Sequence, residues 1–413
     1  MVRVRIFYQT DPAGTIAGGI DTFIRGIIKA APADIEVSVV GLTTDALARP
    51  VGRWSVCRVE GRSVPFFAVG RLKDPRRRSL VPLSALLTFG IARYFHACSK
   101  DCEVLEFHRL EPAMAFLRDL RPKNAFVHQN MADALASGSS DIRWKAMPWL
   151  FFRIERMLLR STASVFAVRA DAIEAYREKY PELADRFRFI PTWMDPDLFF
   201  PASDVVRARL RRSVGAGLGI RAGEPIAITV GRLDSQKNPL LLVDAFSLLA
   251  RKWPDVRLVV VGDGVLRDEV RSRIAQHGLG ERVVLAGLRP PREVADLLRL
   301  SQCFVLSSAY EGMPMCVLEA LGCGIPVVTT RVGEVARVVR PGITGEIVPA
   351  ATPESLAQAM ERCLAHPAAY KREACLAAVS DFVPAKVLQP VYAQYRRLAR
   401  RAAARPVVAQ ELQ

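Results

Sequence analysis

FVLSSAYEGMPMCVLEALGCGIPVV, residues 304–328, reads as one strand–loop–helix–strand unit. The apolar run 303–307 has the length of a buried strand, Ala309–Met313 forms a loop, and Pro314 falls where its fixed φ suits a first helical turn. A helix to about residue 323 and a strand at 325–329 complete it. Such a unit joins two parallel strands by a crossover, which is right-handed in nearly all folds.

The same alternation extends toward the amino terminus. Strands at 226–230, 256–261 and 282–285 take turns with helices at about 238–251, 265–276 and 291–299, the pattern of a doubly wound parallel sheet. Earlier still come a strand at 3–8, a loop holding Gly14, Gly18 and Gly19, and a helix at 20–30 striped with Ile20, Phe23, Ile24, Ile27 and Ile28. Apolar runs at 36–41, 104–107, 124–128, 163–168 and 187–190 predict a further α/β sheet. A chain of 413 residues exceeds what one core usually organises, so the expected domains are 1–200 and 201–383, with an Arg-rich helical end at 384–413. Residues 195–224, with Pro196, Pro201, several glycines and a basic cluster, read as an interdomain linker. Two such sheets leave a cleft, and ligands bind beyond the carboxyl ends of parallel strands.

The 58 Lys and Arg against 42 Asp and Glu leave a net charge of +16. That excess suits nucleic acid, an anionic membrane surface or phosphorylated small molecules, and equally a merely soluble surface. Helix-turn-helix, finger and aromatic RNA-binding patterns are absent, so no nucleic-acid partner is expected. The eight cysteines form no CxxC pair and no zinc-like Cys/His spacing. The opening MVRVRIFYQT lacks a signal-peptide core, and the uncharged run Ser79–Ala92 has 14 residues where a spanning helix needs about 20. The expectation is a cytoplasmic protein without a transmembrane segment.

Within 304–328 the start of the helix offers unpaired N–H groups and partial positive charge, a place for a diphosphate. Glu311 precedes it and Glu319 lies on it, eight positions later. Ionised carboxylates accept strong hydrogen bonds from adjacent sugar or ribose hydroxyls. Elsewhere such a pair would be a loop acid and a solvated face; after a buried strand it points to a site. IAITVGRLDSQKN, residues 226–238, ends a strand in Gly231, followed by Arg232 and by Lys237 at a helix start. Lysine there opposes the helix dipole, whereas two cations at one strand end neutralise a diphosphate, increasingly as its bond to the sugar breaks.

GTIAGGID is not GxGxxG, and no GxxxxGK[ST] occurs. The Gly18–Gly19 pair still admits close approach of a ligand, or makes a simple tight turn. His108 and His128 each follow a predicted strand, and His128 is the expected substrate contact. Asp195 and Asp197 form a DxD beside Pro196, where a turn fits better than a metal site; no metal and no cofactor are expected.

These segments together resemble the retaining family 4 glycosyltransferases of GT-B fold, in which two Rossmann-like domains face a cleft. The E-x7-E motif is Glu311 to Glu319; GRLDSQKN at 231–238, VVVGDG at 259–264, GLRPPREVADLL at 287–298, GITGEIVP at 342–349, AGGID and FVHQN at 126–130 accompany it in order. The resemblance implies a nucleotide diphosphate sugar, UDP- or GDP-linked, as donor, with Arg232 and Lys237 on its diphosphate. Glu311 and the chain at Gly312, Met313, Met315 and Cys316 would hold sugar and phosphate, Glu319 the ribose, Leu288 the base, Gly19 the donor from the first domain, and His128 the transferred sugar. It further implies retention of the anomeric configuration without metal, and a last helix that returns to the first domain. Two departures stand out. Thr192-Trp193 replaces the usual Asn-Gly, and Val332-Gly333 a usual Gly-Gly.

Between Arg71 and Lys100 seven basic residues and one acid flank an apolar stretch. That pattern suits either an anionic membrane surface, and with it a lipid-linked or surface-polysaccharide saccharide acceptor, or a packed helix beside solvated arginines. An epimerase or phosphorylase of the same fold is the alternative enzyme.

Overall fold

The computed structural model describes residues 1–14, 19–72, 82–128, 147–221 and 223–404. Gly18, Arg76, Arg77 and Arg78 of the basic run, and Gln129 and Asn130 of FVHQN lie outside the described residues. The chain divides into two compact units, Met1–Pro191 with Pro384–Gln413, and Thr192–Val383.

The first unit is built on β1 (Val2–Phe7), β2 (Ile35–Thr43), β3 (Trp54–Val59), β4 (Arg62–Arg71), β5 (Val104–Phe107), β6 (Lys123–Val127), β7 (Ser164–Ala167) and β8 (Phe187–Phe189). Their order in the sheet is β3-β4-β2-β1-β5-β6-β7-β8. Every pairing is parallel except β3 with β4. The winding therefore reverses between β1 and β5. Helix α1 (Gly19–Ala30) lays Phe23, Ile24, Ile27 and Ile28 on this unit, with Asp21 in its first turn and Lys29 in its last complementing the helix dipole. Each such side chain stabilises the fold by about 1.5–3 kcal/mol when fully buried.

The β3–β4 hairpin has no counterpart in the sequence-based expectation. Glu60 and Gly61 make its turn, both at positive φ, without the Asn-Gly or Asp-Gly that usually announces one. Pro65 disguises the second strand; it precedes Phe66, where the pairing with β2 begins, so it costs that ladder nothing.

The last helix, Gln389–Ala403, belongs to this unit. Tyr392 donates its hydroxyl to the carbonyl of Ile27 at 2.8 Å, and Arg396 pairs with Asp34 at 2.7 Å. The stretch Arg372–Ala403 is long and apolar enough by composition to cross a membrane. It is nevertheless broken into short helices, and Cys375, Val379, Val391, Tyr395 and Leu398 are buried within the units.

The second unit holds β9 (Ile226–Val230), β10 (Arg257–Val261), β11 (Val283–Gly287), β12 (Cys303–Leu306), β13 (Val327–Thr330) and β14 (Gly345–Val348). All its pairings are parallel, in the order β11-β10-β9-β12-β13-β14. Alternate residues feed opposite faces: Leu258, Val260, Cys303 and Val305 enter one core, Val259, Val261, Phe304 and Leu306 the other. Burial on both faces is why these strands read as unbroken apolar runs. Helices α2 (Pro239–Lys252) and α3 (Pro353–Ala365) cover the first face through Phe246, Leu249, Leu356 and Met360. Helices α4 (Pro291–Leu300) and α5 (Met315–Gly322) cover the second.

The linker expectation is corrected. The division falls at Pro191/Thr192 rather than at 200, and residues 195–224 are part of the second unit. Met194, Phe199 and Ile220 enter its core, and Arg299 donates to the carbonyl of Phe200 at 2.9 Å. Prolines and arginines gave this stretch a linker's composition while Phe199 and Ile220 within it, and Met194 just before it, anchored it. Asp195 and Asp197 form a turn, the Asp197 N–H donating to Asp195 Oδ1 at 3.1 Å. All eight cysteines are free and buried.

Candidate active site

In the second unit the winding reverses between β9 and β12, so the loops after these strands lie side by side, where open parallel sheets bind ligands. The loop after β9 begins with Gly231, over which the Lys237 stem folds; a Cβ there would come within 3.3 Å of Lys237 Cε. The two loops are joined by hydrogen bonds. Ser307 Oγ donates to the carbonyls of Lys237 and Asn238 at 2.9 and 3.0 Å, and the Ala309 N–H donates to Gln236 O at 2.8 Å.

Lys237 Nζ lies 2.6 Å from Glu311 Oε1, with side-chain exposures of 19% and 8%. The same oxygen accepts from Ser308 Oγ at 2.7 Å, while Oε2 has, among the described residues, only Gln236 Nε2 at 3.4 Å. Glu311 thus clamps the lysine through one oxygen and keeps most of the other's capacity for a ligand. Burial opposes the charge on Lys237, but the neighbouring Cys316 and Glu311 and the hydrogen bond to Glu311 outweigh it, so its pKa is raised. Arg232 is 70% exposed and leans on Asp234 and Gln236, each at 3.2 Å. One held cation and one exposed cation stand at a single strand end.

After Glu311 the chain enters α5 behind Pro314, and the first-turn N–H groups of Met315 and Cys316 have no intrahelical acceptor. The Met313 and Cys316 side chains point into the core, and burial pushes the Cys316 thiol up to about 12. What residues 312–316 offer a ligand is therefore chiefly backbone. That backbone is fixed by two bonds, Glu334 N–H to Gly312 O at 2.9 Å and Thr192 Oγ1 to Met313 O at 2.9 Å, and Thr330 Oγ1 holds the loop upstream by donating to Ser308 O at 2.7 Å. Thr192 stands where the family usually has asparagine, and its hydroxyl makes one of these bonds. Of the Val332-Gly333 pair only Gly333 is needed here: its φ is +45°, and a Cβ would lie 1.8 Å from Gly312 O.

Glu319 has no hydrogen-bond partner for its carboxylate among the described residues. Burial pushes it up to about 7, with Lys237 pulling the other way. Leu288 follows β11 and is 74% exposed.

The structure thus brings Arg232, Lys237, Glu311, Gly312, Met313, Met315, Cys316 and Glu319 into one region, with Leu288 on the same unit. Gly19 and His128 belong to the first unit. Gly19 opens α1, and a Cβ there would meet nothing within 4 Å, so no packing contact requires the glycine. His128, at the tip of β6, touches Phe23 of that helix edge-on at 5.1 Å. Its Nε2 lies 2.9 Å from His108 Nδ1, whose own Nε2 lies 3.1 Å from Glu106 Oε1. Tyr395 donates to the other Glu106 oxygen. Burial pushes Glu106 up to about 8 and His108 down to about 3. It also holds His128 well below the usual histidine value, helped by His108 and Arg109.

Sequence reasoning missed Ser308, Gln236, Glu106 and Tyr395. An acid inside the otherwise apolar strand Val104–Phe107 was the available signal for Glu106. For Tyr395, 289 residues away, there was none.

Residues 214–377 match the family described as "Glycosyl transferases group 1". That match lies within the second unit. Among relatives of the domain, mannosylfructose-phosphate synthase of Agrobacterium fabrum is 31% identical over 196 residues, 46% of this chain and 42% of that protein. The Escherichia coli UDP-Gal:alpha-D-GlcNAc-diphosphoundecaprenol alpha-1,3-galactosyltransferase is 32% identical over 146 residues, 35% of this chain and 36% of that protein. The chain spans less than half the length of either relative. Sucrose-phosphate synthase from Thermosynechococcus elongatus superposes over 98% of this chain and 100% of its own, with a TM-score of 0.75 at 22% identity. The fold is GT-B.

Proposed function

We propose that the protein transfers a hexose-type sugar from a nucleotide diphosphate sugar, UDP- or GDP-linked, to an acceptor, with retention of configuration. The observation that carries the reading is the Lys237–Glu311 pair beside the exposed Arg232 at the point where β9 and β12 diverge. Lys237 and Arg232 neutralise the diphosphate and stabilise it as it leaves, the role for which other enzymes recruit a divalent metal. The amides of Met315 and Cys316 receive phosphate oxygens. Glu311 Oε2 accepts from the sugar, the carboxylate of Glu319 accepts from the ribose diol, Leu288 covers the base, Gly19 admits the donor, and His128 touches the transferred sugar. No metal takes part: the leaving group's charge is met by side chains and amides.

A thermal-shift panel of UDP, GDP and ADP tests donor binding; a ligand at 100 times its dissociation constant adds about 2.7 kcal/mol. No shift with any of them sinks the reading. Transfer in the presence of a chelator, with the product's anomeric configuration read by NMR, tests metal independence and retention together. Incubating the sugar nucleotide without acceptor separates transfer from epimerisation.

For the acceptor we propose a lipid-linked or surface-polysaccharide saccharide, presented at the inner face of the plasma membrane to a cytoplasmic, peripherally bound enzyme. The support is a relative acting on a diphosphoundecaprenol-linked sugar and the exposed Phe89 and Trp149, each followed four residues later in the chain by an arginine, Arg93 and Arg153. Failure to sediment with anionic vesicles at low salt removes the membrane part and leaves the donor reading standing.

A further inference from the structure

Tyr395, Glu106, His108 and His128 form an unbroken hydrogen-bonded row of four titratable groups. It runs from the last helix across β5 to the tip of β6. The proposed transfer uses only its final member. His128 Nδ1, at the far end, has no hydrogen-bond partner among the described residues. Aromatic packing fixes both rings: Phe126 stacks on His108 at 4.7 Å and 6°, and Phe23 stands edge-on to His128.

A row with one hydrogen in each gap can point only two ways. With Glu106 protonated, its O–H donates to His108 Nε2, His108 Nδ1–H donates to His128 Nε2, and His128 carries its own hydrogen on Nδ1, pointing outward. With Glu106 ionised, His108 Nε2–H donates to the carboxylate, His128 Nε2–H donates to His108 Nδ1, and the outer Nδ1 is bare. We propose that Glu106, acting through His108, sets which nitrogen of His128 carries the proton, so that the row relays one proton between the buried carboxyl and His128 Nδ1. This rests on the reading that His128 touches the substrate.

The step balances. The Glu106 proton moves to His108 Nε2, the His108 Nδ1 proton moves to His128 Nε2, and the His128 Nδ1 proton leaves. One proton departs and one negative charge remains on Glu106, steadied by the Tyr395 hydroxyl. Neither ring ends as an imidazolium, which suits two histidines whose burial disfavours that charge. Among the described residues the charged and titratable groups facing the row are few. Tyr8 at the end of β1 lies edge-on to His108 at 6.1 Å, Arg109 acts on His128, and Tyr392 of the last helix acts with Tyr395 near Glu106. Asp21 acts on Tyr8 and Arg62 on Tyr392 in turn. Glu106 and His108 are thus positioning residues for the ligand atom that meets Nδ1.

The full chain, labelled with 15N in its five histidines, reports each tautomer by long-range 15N NMR without any substrate. Spectra are taken across about pH 8, where burial places Glu106. His128 is assigned by comparison with His128→Gln. The expected result is a change of His128 from the Nδ1–H to the Nε2–H form as pH rises, with a step in kcat/KM at the same midpoint. In Glu106→Gln the amide goes on donating to His108 and has no proton to lose, so His128 stays in the Nδ1–H form at every pH and the step disappears. Should that variant not fold, Tyr395→Phe removes the donor that lowers the Glu106 pKa, and the tautomer midpoint moves to higher pH. A wild-type protein without a tautomer change, a Glu106→Gln protein that titrates like wild type, or an unmoved midpoint in Tyr395→Phe overturns the relay. A tautomer switch in a protein that transfers no sugar keeps the relay and removes the functional reading; transfer without the switch does the reverse.

Discussion

Each unit reverses its winding once, and each reversal holds a cluster of polar side chains, yet the two clusters have opposite electrostatic character. Between β9 and β12 the groups are charged and in part wet: Arg232 is largely exposed, and Lys237 is paired with Glu311. Beyond β1 and β5 they are dry, and burial drives Glu106 and His108 toward their neutral forms. The same topology therefore yields one charged, partly wet cluster and one buried cluster held toward neutrality. The difference comes from what surrounds the polar groups: loops and a helix start in one case, Phe23, Phe126 and a tyrosine from the last helix in the other.

The largest blow to this contrast is Lys237→Ala. It should cost on the order of 10²–10³ in transfer rate and abolish most of the nucleotide-induced thermal shift. It should also lower stability by about 3–5 kcal/mol, because the buried Glu311 loses its partner. An unchanged nucleotide shift would remove the lysine from the anion site. Gly333→Ala comes next: a Cβ would meet the Gly312 carbonyl at 1.8 Å and the left-handed φ adds strain. A loss of about 2–3 kcal/mol in chemical denaturation is expected, with weaker nucleotide binding as the 311–313 loop is displaced.

Thr192→Val leaves the buried Met313 carbonyl without its hydroxyl donor, for a loss of about 1–3 kcal/mol in the same assay. Glu319 gives the smallest and most diagnostic effect. Its folded pKa, about 7, stands above the unfolded value. Its contribution to stability is therefore fully present in acid and is lost as pH rises through about 7. Nucleotide affinity should run the other way, rising several-fold over that interval as the carboxylate that accepts ribose hydroxyls forms. Calorimetric titration with UDP at several pH values reads this, and Glu319→Gln should flatten the trend. If Tyr395→Phe, in the other cluster, abolishes the UDP shift, the separation between the two clusters fails.

That Arg232, Lys237, Glu311 and Glu319 come together was largely legible in the chain because they are local. Gly231, Arg232 and Lys237 occupy one loop, Glu311 and Glu319 one strand–helix corner, and the apolar strands before them are buried on both faces. Ser308 was hidden because a serine after a strand has many uses. The proton row was illegible for a different reason: its members come together only when the last helix packs beside β5, and no local pattern ties Tyr395 to Glu106. The hairpin at Glu60–Gly61 and the anchoring of residues 195–224 escaped because proline and charge outweighed a few decisive apolar or turn positions.

The return of the last helix also bears on how the chain is made. Residues 192–383 are contiguous, so they can finish folding as soon as they leave the ribosome, while residues 1–191 must wait for a segment made after the second unit. Until then Glu106 lacks the tyrosine that donates to it. A nascent polypeptide stalled before Gln389 would therefore carry a finished second unit and an unsealed first one, exposing apolar surface to chaperones and proteases for the length of the pause.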